Sequence, residues 1–237
     1  MKKFLVAFIA FLLTASMCFA EQLNLEKETK YQKQLMQVGF RILNANQIDK
    51  RMTFYYSNNK SVNAYLMPSN KQIGVYKGLI PFIDNEDELA AILSHEIAHG
   101  LDAHAGYWRR WAMCARVNKY ERKADKTGID LMVNAGYNPV AMITVMNKIA
   151  AEPSFSDDFG MRSHPAGSQR LAYIYEYIYA KYPAYLVEND YQNNLYYQNF
   201  LLTSKKDREL IKKKYEEKYL KSVNFDKNQK KENKSDK

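Results

Sequence analysis

Cysteine is nearly absent from this 237-residue chain, with only Cys18 and Cys114 present, so no disulfide framework holds it together. Cys114 lies among bulky residues in WAMCARV and reads as a small buried hydrophobe rather than as a zinc ligand or reactive centre. Long apolar runs are missing as well. The N-terminal run from Phe4 to Leu13 is short for a membrane span. Flanked by Lys2-Lys3 and by Cys18-Phe19-Ala20, it fits an export signal over residues 1–20, cleaved before Glu21, with an uncleaved anchor as the alternative. Met17 before Cys18 argues against a lipoprotein. A chain exported to the periplasm or cell envelope of a bacterium does not meet nucleic acid, so the formal charge of +9 needs another reading. Much of it sits in the signal and in residues 203–237, a lysine-rich tail expected to be helical to about Leu220 and disordered beyond. Such a tail attracts anionic lipid head groups weakly, or serves solubility alone.

Histidine is also scarce, at four residues, yet two of them fall in one run, His95-Glu96-Ile97-Ala98-His99. On a helix, positions i and i+4 differ by about 40° of rotation and one turn of rise, so both imidazoles can chelate one ion. Glu96, about 60° to one side, can act as base on a water in an open coordination position. The setting is helical: Asn85 and Glu88 fit a capping box, and neither glycine nor proline interrupts residues 86–99. Leu89, Leu93, Ile97 and Leu101 form an apolar stripe while Ala91, Ser94 and Ala98 keep another side small, which places the histidines inside the protein. Glu121 and Asp125 repeat the i, i+4 spacing in KYERKADK, with Ala124 small enough for a second helix to press on the first. Glu121 is the expected third zinc ligand, and Asp125 the expected acceptor behind a ligand imidazole. His104 would be rotated about 140° from His99 on a continuous helix and is left out.

Residues 63–100, NAYLMPSNKQIGVYKGLIPFIDNEDELAAILSHEIAHG, resemble the core of the M48 peptidases, a family of periplasmic and membrane zinc metallopeptidases of the Oma1-like and Ste24-like kind. The family's later motifs follow in order, as Glu121 to Asp125, then Ser163-His164-Pro165 and Arg170. The resemblance covers roughly residues 30–180. It implies an α+β fold of the zincin, gluzincin type, mainly helical with a small antiparallel sheet over the metal helix. It implies one Zn2+ per chain, hydrolysis of polypeptide substrates, and an edge strand at residues 72–77 that pairs with extended peptide, unless that strand is interior. It also brings His164 to the metal, to stabilise the oxyanion or to occupy the open position at rest, and gives Arg170 a part in orienting substrate or pairing with a carboxylate. The interval from His99 to Glu121 is shorter than in many relatives, which suggests an open site.

Along the rest of residues 21–202, the peptidase domain, residues 26–46 read as an amphipathic helix through Tyr31, Leu35, Val38, Ile42 and Leu43. Short strands are expected at 54–57, 61–67 and 72–77. Gly136 caps the Glu121 helix, and Asn138-Pro139 starts a helix over 140–151. The tyrosine-rich stretch from Tyr173 onward reads as helix with packing rings and wet hydroxyls, or as a partner surface. Two functions follow. One is a zinc endopeptidase of the envelope acting on unfolded or damaged proteins; the other is a chaperone-like assembly factor whose metal is blocked by the His164 loop. A pure binding module has no need of Glu96, which favours the first.

Overall fold

The computed structural model describes residues 2–67, 71–103, 117–151 and 168–235. The first helix, α1 (Lys2–Ala45), runs without a break through the expected signal and the amphipathic segment. Its second half buries Leu35, Val38, Ile42 and Leu43 at helical spacing, whereas Met17 and Phe19 stay exposed. Among the described residues no helix is long and apolar enough to cross a membrane.

Three short strands follow, β1 (Thr53–Ser57), β2 (Ala64–Met67) and β3 (Gln72–Tyr76), in the order β1-β3-β2. β2 and β3 form the expected antiparallel pair, but β1 runs parallel to β3, so the sheet is mixed rather than antiparallel. The cause is the grip of α1 on β1. The Gln32 side chain donates to Phe54 O at 2.8 Å and accepts from Tyr56 N at 2.7 Å, while a Cβ on Gly39 would meet the Phe54 ring at 2.5 Å. Anchored there, β1 takes the far side of β3. β3 is therefore central, and residues 72–77 do not offer the free edge expected of them; among the described residues β2 is the edge strand without such a cover.

A 3-10 helix (Lys77–Phe82) leads into α2 (Glu86–Ala103), which carries the histidine pair. Asn85 Oδ1 accepts from Glu88 N at 3.0 Å, and Glu88 Oε2 accepts from Asp84 N at 2.8 Å, a capping box displaced by one residue from the expected form. Leu89, Leu93 and Ile97 are buried on one face, Ala91, Ser94 and Ala98 on another. Along the small face lies α3 (Val117–Asn134). Its Gly128 lets the helices close up, since a Cβ there would stand 3.2 Å from His95 N and 3.3 Å from Ser94 C.

Gly136, at φ +77, ends α3: its N–H bonds Val133 O and the N–H of Tyr137 bonds Met132 O. Asn138 Oδ1 then accepts from Val140 N at the start of α4 (Val140–Ala151). After it come α5 (Ser168–Lys181), the short α6 (Ala184–Val187), α7 (Leu195–Thr203) and α8 (Lys205–Ser235). The last is longer than expected from its charge. No glycine or proline follows Pro183, and Glu209 with Lys213 and Glu217 with Lys221 sit at the favourable i, i+4 order, so composition supports helix where it cannot support a core.

Candidate metal centre

Two buried helices meet where α2 presents histidines and α3 presents carboxylates. His95, Glu96, Glu121 and Asp125 are all at or below 4% exposed. The His95 and His99 Nε2 atoms converge to 3.1 Å, with ring planes 87° apart. Glu121 faces the pair, Oε1 at 3.0 Å from His99 Nε2 and Oε2 at 3.4 Å from His95 Nε2. Two ligands of a tetrahedral ion with bonds of about 2.0–2.1 Å stand about 3.3 Å apart, and the imidazole pair, with one carboxylate oxygen beside each ring, is spaced in that range. His95, His99 and Glu121 form the group able to hold a metal ion among the described residues.

The charges around this point also fit a divalent cation. Glu96, Glu121 and Asp125 bring three buried carboxylates, against which the described residues set one buried guanidinium, that of Arg170. Burial alone lowers the affinity of His95 for a proton, but Asp125 and Glu121 outweigh it and push the imidazole up to about 10. The site thus draws positive charge to the point where the donors converge. His99, closer to the surface and repelled by His95, is instead lowered, with burial as the chief cause. Glu96, next to His95 on α2, is buried with it.

Asp125 lies behind His95, with Oδ1 2.9 Å from Nδ1. This contact turns Nε2 toward Glu121. Arg170, from the first turn of α5, grips the same carboxylate with both ends of its fork, Nε to Oδ2 at 2.9 Å and Nη2 to Oδ1 at 2.7 Å, and reaches Glu121 Oε2 at 3.1 Å. Burial would raise Asp125, yet Arg170 and His95 hold it far below the usual carboxylate range. Arg170 therefore pairs with carboxylates at the centre, the second of the two parts expected for it. His164, with His104 and Cys114, lies outside the described residues.

The tyrosine stretch was expected to have packing rings and wet hydroxyls, yet several of its hydroxyls bond carboxylates of α3 instead. Tyr173 donates to Asp125 Oδ2 at 2.5 Å, while the Arg122 guanidinium lies 4.6 Å from its ring centre. Burial and the Asp125 charge push its phenol well above the usual tyrosine range, so it remains a donor. Sequence reasoning missed this residue, although its place three positions after Arg170, on the same helix face, is a readable signal. Tyr177 and Tyr182 similarly bond Asp130 at 2.9 and 2.8 Å, tying α5 to α3.

A histidine pair with a buried neighbouring glutamate, faced by a carboxylate as third donor from a second helix, is a ligand set that zinc-dependent peptidases use. Residues 29–115, which hold the sheet, α2 and its histidine pair, match the model of Peptidase family M48. The chain is 23% identical to the Beta-barrel assembly-enhancing protease of Escherichia coli K12, over an alignment covering 57% of this chain and 36% of that protein. It is 27% identical to the Mitochondrial metalloendopeptidase OMA1 of Schizosaccharomyces pombe, covering 49% of this chain and 43% of the relative, and 26% identical to that of Arabidopsis thaliana, covering 48% and 29%. The chain spans between 29% and 43% of the length of these relatives.

Proposed function

We propose that this chain is a zinc-dependent endopeptidase of the gluzincin type, exported to the periplasm or cell envelope of a bacterium, that cleaves unfolded or damaged polypeptides. The observation that carries the reading is the convergence of His95 Nε2, His99 Nε2 and the Glu121 carboxylate at separations of 3.0–3.4 Å. These three residues would hold one zinc ion, which when bound supplies a Lewis acid that activates water and polarises the scissile carbonyl. Glu96 takes a proton from the attacking water and returns it to the leaving amine. Asp125 fixes the His95 tautomer through Nδ1, and Arg170 fixes Asp125. His164 stabilises the negative charge that develops on the carbonyl oxygen.

Substrate binding falls to β2 rather than to β3. Gln32 already pairs with the backbone of β1, so β2 offers the main-chain groups to which an extended, unfolded segment can add without regard to its side chains. A broad preference follows from that mode of binding. The basic tail adds weak attraction to anionic membrane surfaces; Lys205, Lys206, Lys212 and Lys213 are exposed there on α8.

The test compares wild type with Glu96→Gln on an unfolded protein, with released peptides identified by mass spectrometry. The amide retains the fold and the metal but accepts no proton, so turnover falls by about 10² to 10⁴. Equal cleavage by the two proteins would assign the activity elsewhere and leave the assembly-factor reading standing. In the same assay His164→Ala lowers kcat by about 10² to 10³ with KM little changed; unchanged kinetics would remove His164 from the mechanism.

A further inference from the structure

Resting on the metal reading above, we propose that Tyr173 is a positioning residue of the metal centre, acting on His95 through Asp125. The carboxylate of Asp125 is fully buried and has four neighbours to satisfy. Its Oδ1 is shared by His95 Nδ1 and Arg170 Nη2, and its Oδ2 by Arg170 Nε and the Tyr173 hydroxyl. The two parallel bonds from Arg170 hold this carboxylate in the plane of the guanidinium and leave hinging out of that plane as its remaining freedom. Tyr173 approaches Oδ2 from one turn further along α5, so the second oxygen has two anchors and the first is held in line with the imidazole.

The phenol is fixed in turn. Arg122, three residues before Asp125 on α3, lies over its ring, so the two helices clasp each other reciprocally: an arginine of α5 on a carboxylate of α3, and an arginine of α3 on a tyrosine of α5. The hydroxyl also draws charge from Asp125, which moderates how strongly that carboxylate raises the basicity of His95 as a ligand.

The experiment uses the full chain as wild type, Tyr173→Phe, Asp125→Asn and the double variant. Zinc affinity is read by competition with a chromophoric chelator, beside the melting temperature of each metal-free protein. Phenylalanine keeps the ring and its contact with Arg122. The expected result is an approximately tenfold loss of zinc affinity in Tyr173→Phe with unchanged metal-free melting, and no further loss when the same change is made in Asp125→Asn. Undiminished affinity in Tyr173→Phe, or an equal loss in both backgrounds, overturns the proposal. If Asp125→Asn does not fold, the visible absorption bands of the cobalt-loaded proteins decide: shifted bands in Tyr173→Phe support the role, and identical spectra overturn it. A wild-type protein that takes up no metal overturns the metal reading and this inference together; a metal-binding wild type with an unperturbed Tyr173→Phe overturns the inference alone.

Discussion

The two ends of α2 both bury charge, and they do so to different effect. At the N-terminal end, Glu88, wholly buried, meets Lys148 Nζ at 2.7 Å and Thr144 Oγ1 at 2.9 Å, while Lys148 also reaches Asp84 at 2.5 Å. One buried carboxylate faces one buried ammonium, and Asp84, largely exposed, keeps its hydration. That end is balanced. Two to three turns along, three buried carboxylates face a single guanidinium, and two imidazole nitrogens point at the same spot as one of them. A balanced cluster needs nothing further and fastens α4 to α2. An unbalanced one stores an affinity for a cation. Burial and charge alone therefore do not mark a functional site; the residual charge and the direction of the lone pairs do.

The contrast breaks most decisively at the ligands. His95→Ala or Glu121→Ala should weaken zinc by about 10³-fold, a share of the 10–16 kcal/mol typical of a four-ligand structural site. Chelator competition reads this, and a folded Glu121→Ala protein with full zinc affinity would remove Glu121 from the set. Lys148→Ala should do the reverse, leaving zinc content at the wild-type level while costing about 3 kcal/mol of stability, because Glu88 is left buried without its partner. Thermal or urea unfolding measures the loss, and a fall in zinc content instead would join the two ends into one functional unit.

Gly128→Ala tests whether helix spacing serves the centre. The new methyl group would press on the backbone of Ser94 and His95, which cannot move aside as a flexible side chain does, for a cost of about 1–3 kcal/mol. Zinc affinity should fall with stability, and a variant as stable and as tightly metallated as wild type would show that the helices have slack.

The smallest effect concerns Tyr191, whose hydroxyl bonds Asn85 Oδ1 at 3.0 Å beside Asp87. Burial and the Asp87 charge push its phenol above the ordinary value of 10.0, so the fold favours the neutral form. That contribution is complete below about pH 10 and is lost as pH rises above it, when the unfolded chain ionises first. Tyr191→Phe should flatten this alkaline decline in melting temperature, and an unaltered slope would assign the decline to other tyrosines.

Much of the centre was legible because its parts are local. His95 with His99, and Glu121 with Asp125, are i, i+4 pairs whose common face follows from helix geometry, and Ala124 announced the close contact between the helices. The caps at Asn85, Gly136 and Asn138 were equally local. What escaped depends on contacts between distant segments. The parallel pairing of β1 with β3 is decided by Gln32 and Gly39 on α1, and this moved the free edge from β3 to β2. Tyr173 was hidden among many tyrosines: its place three positions after Arg170 says which face it shares, but not that its hydroxyl meets Asp125. Nothing local marks Lys148 either, because its partner Glu88 lies on α2, 60 residues earlier in the chain.

The central claim is that this imbalance of charge holds a zinc ion that the peptidase reaction requires. The direct measurement is peptide release from an unfolded protein by the purified chain before chelation, after removal of metal, and after return of one equivalent of zinc per chain. Activity should vanish with the metal and come back with it, in wild type and not in Glu96→Gln. Undiminished cleavage by protein shown by elemental analysis to contain no metal would contradict the account.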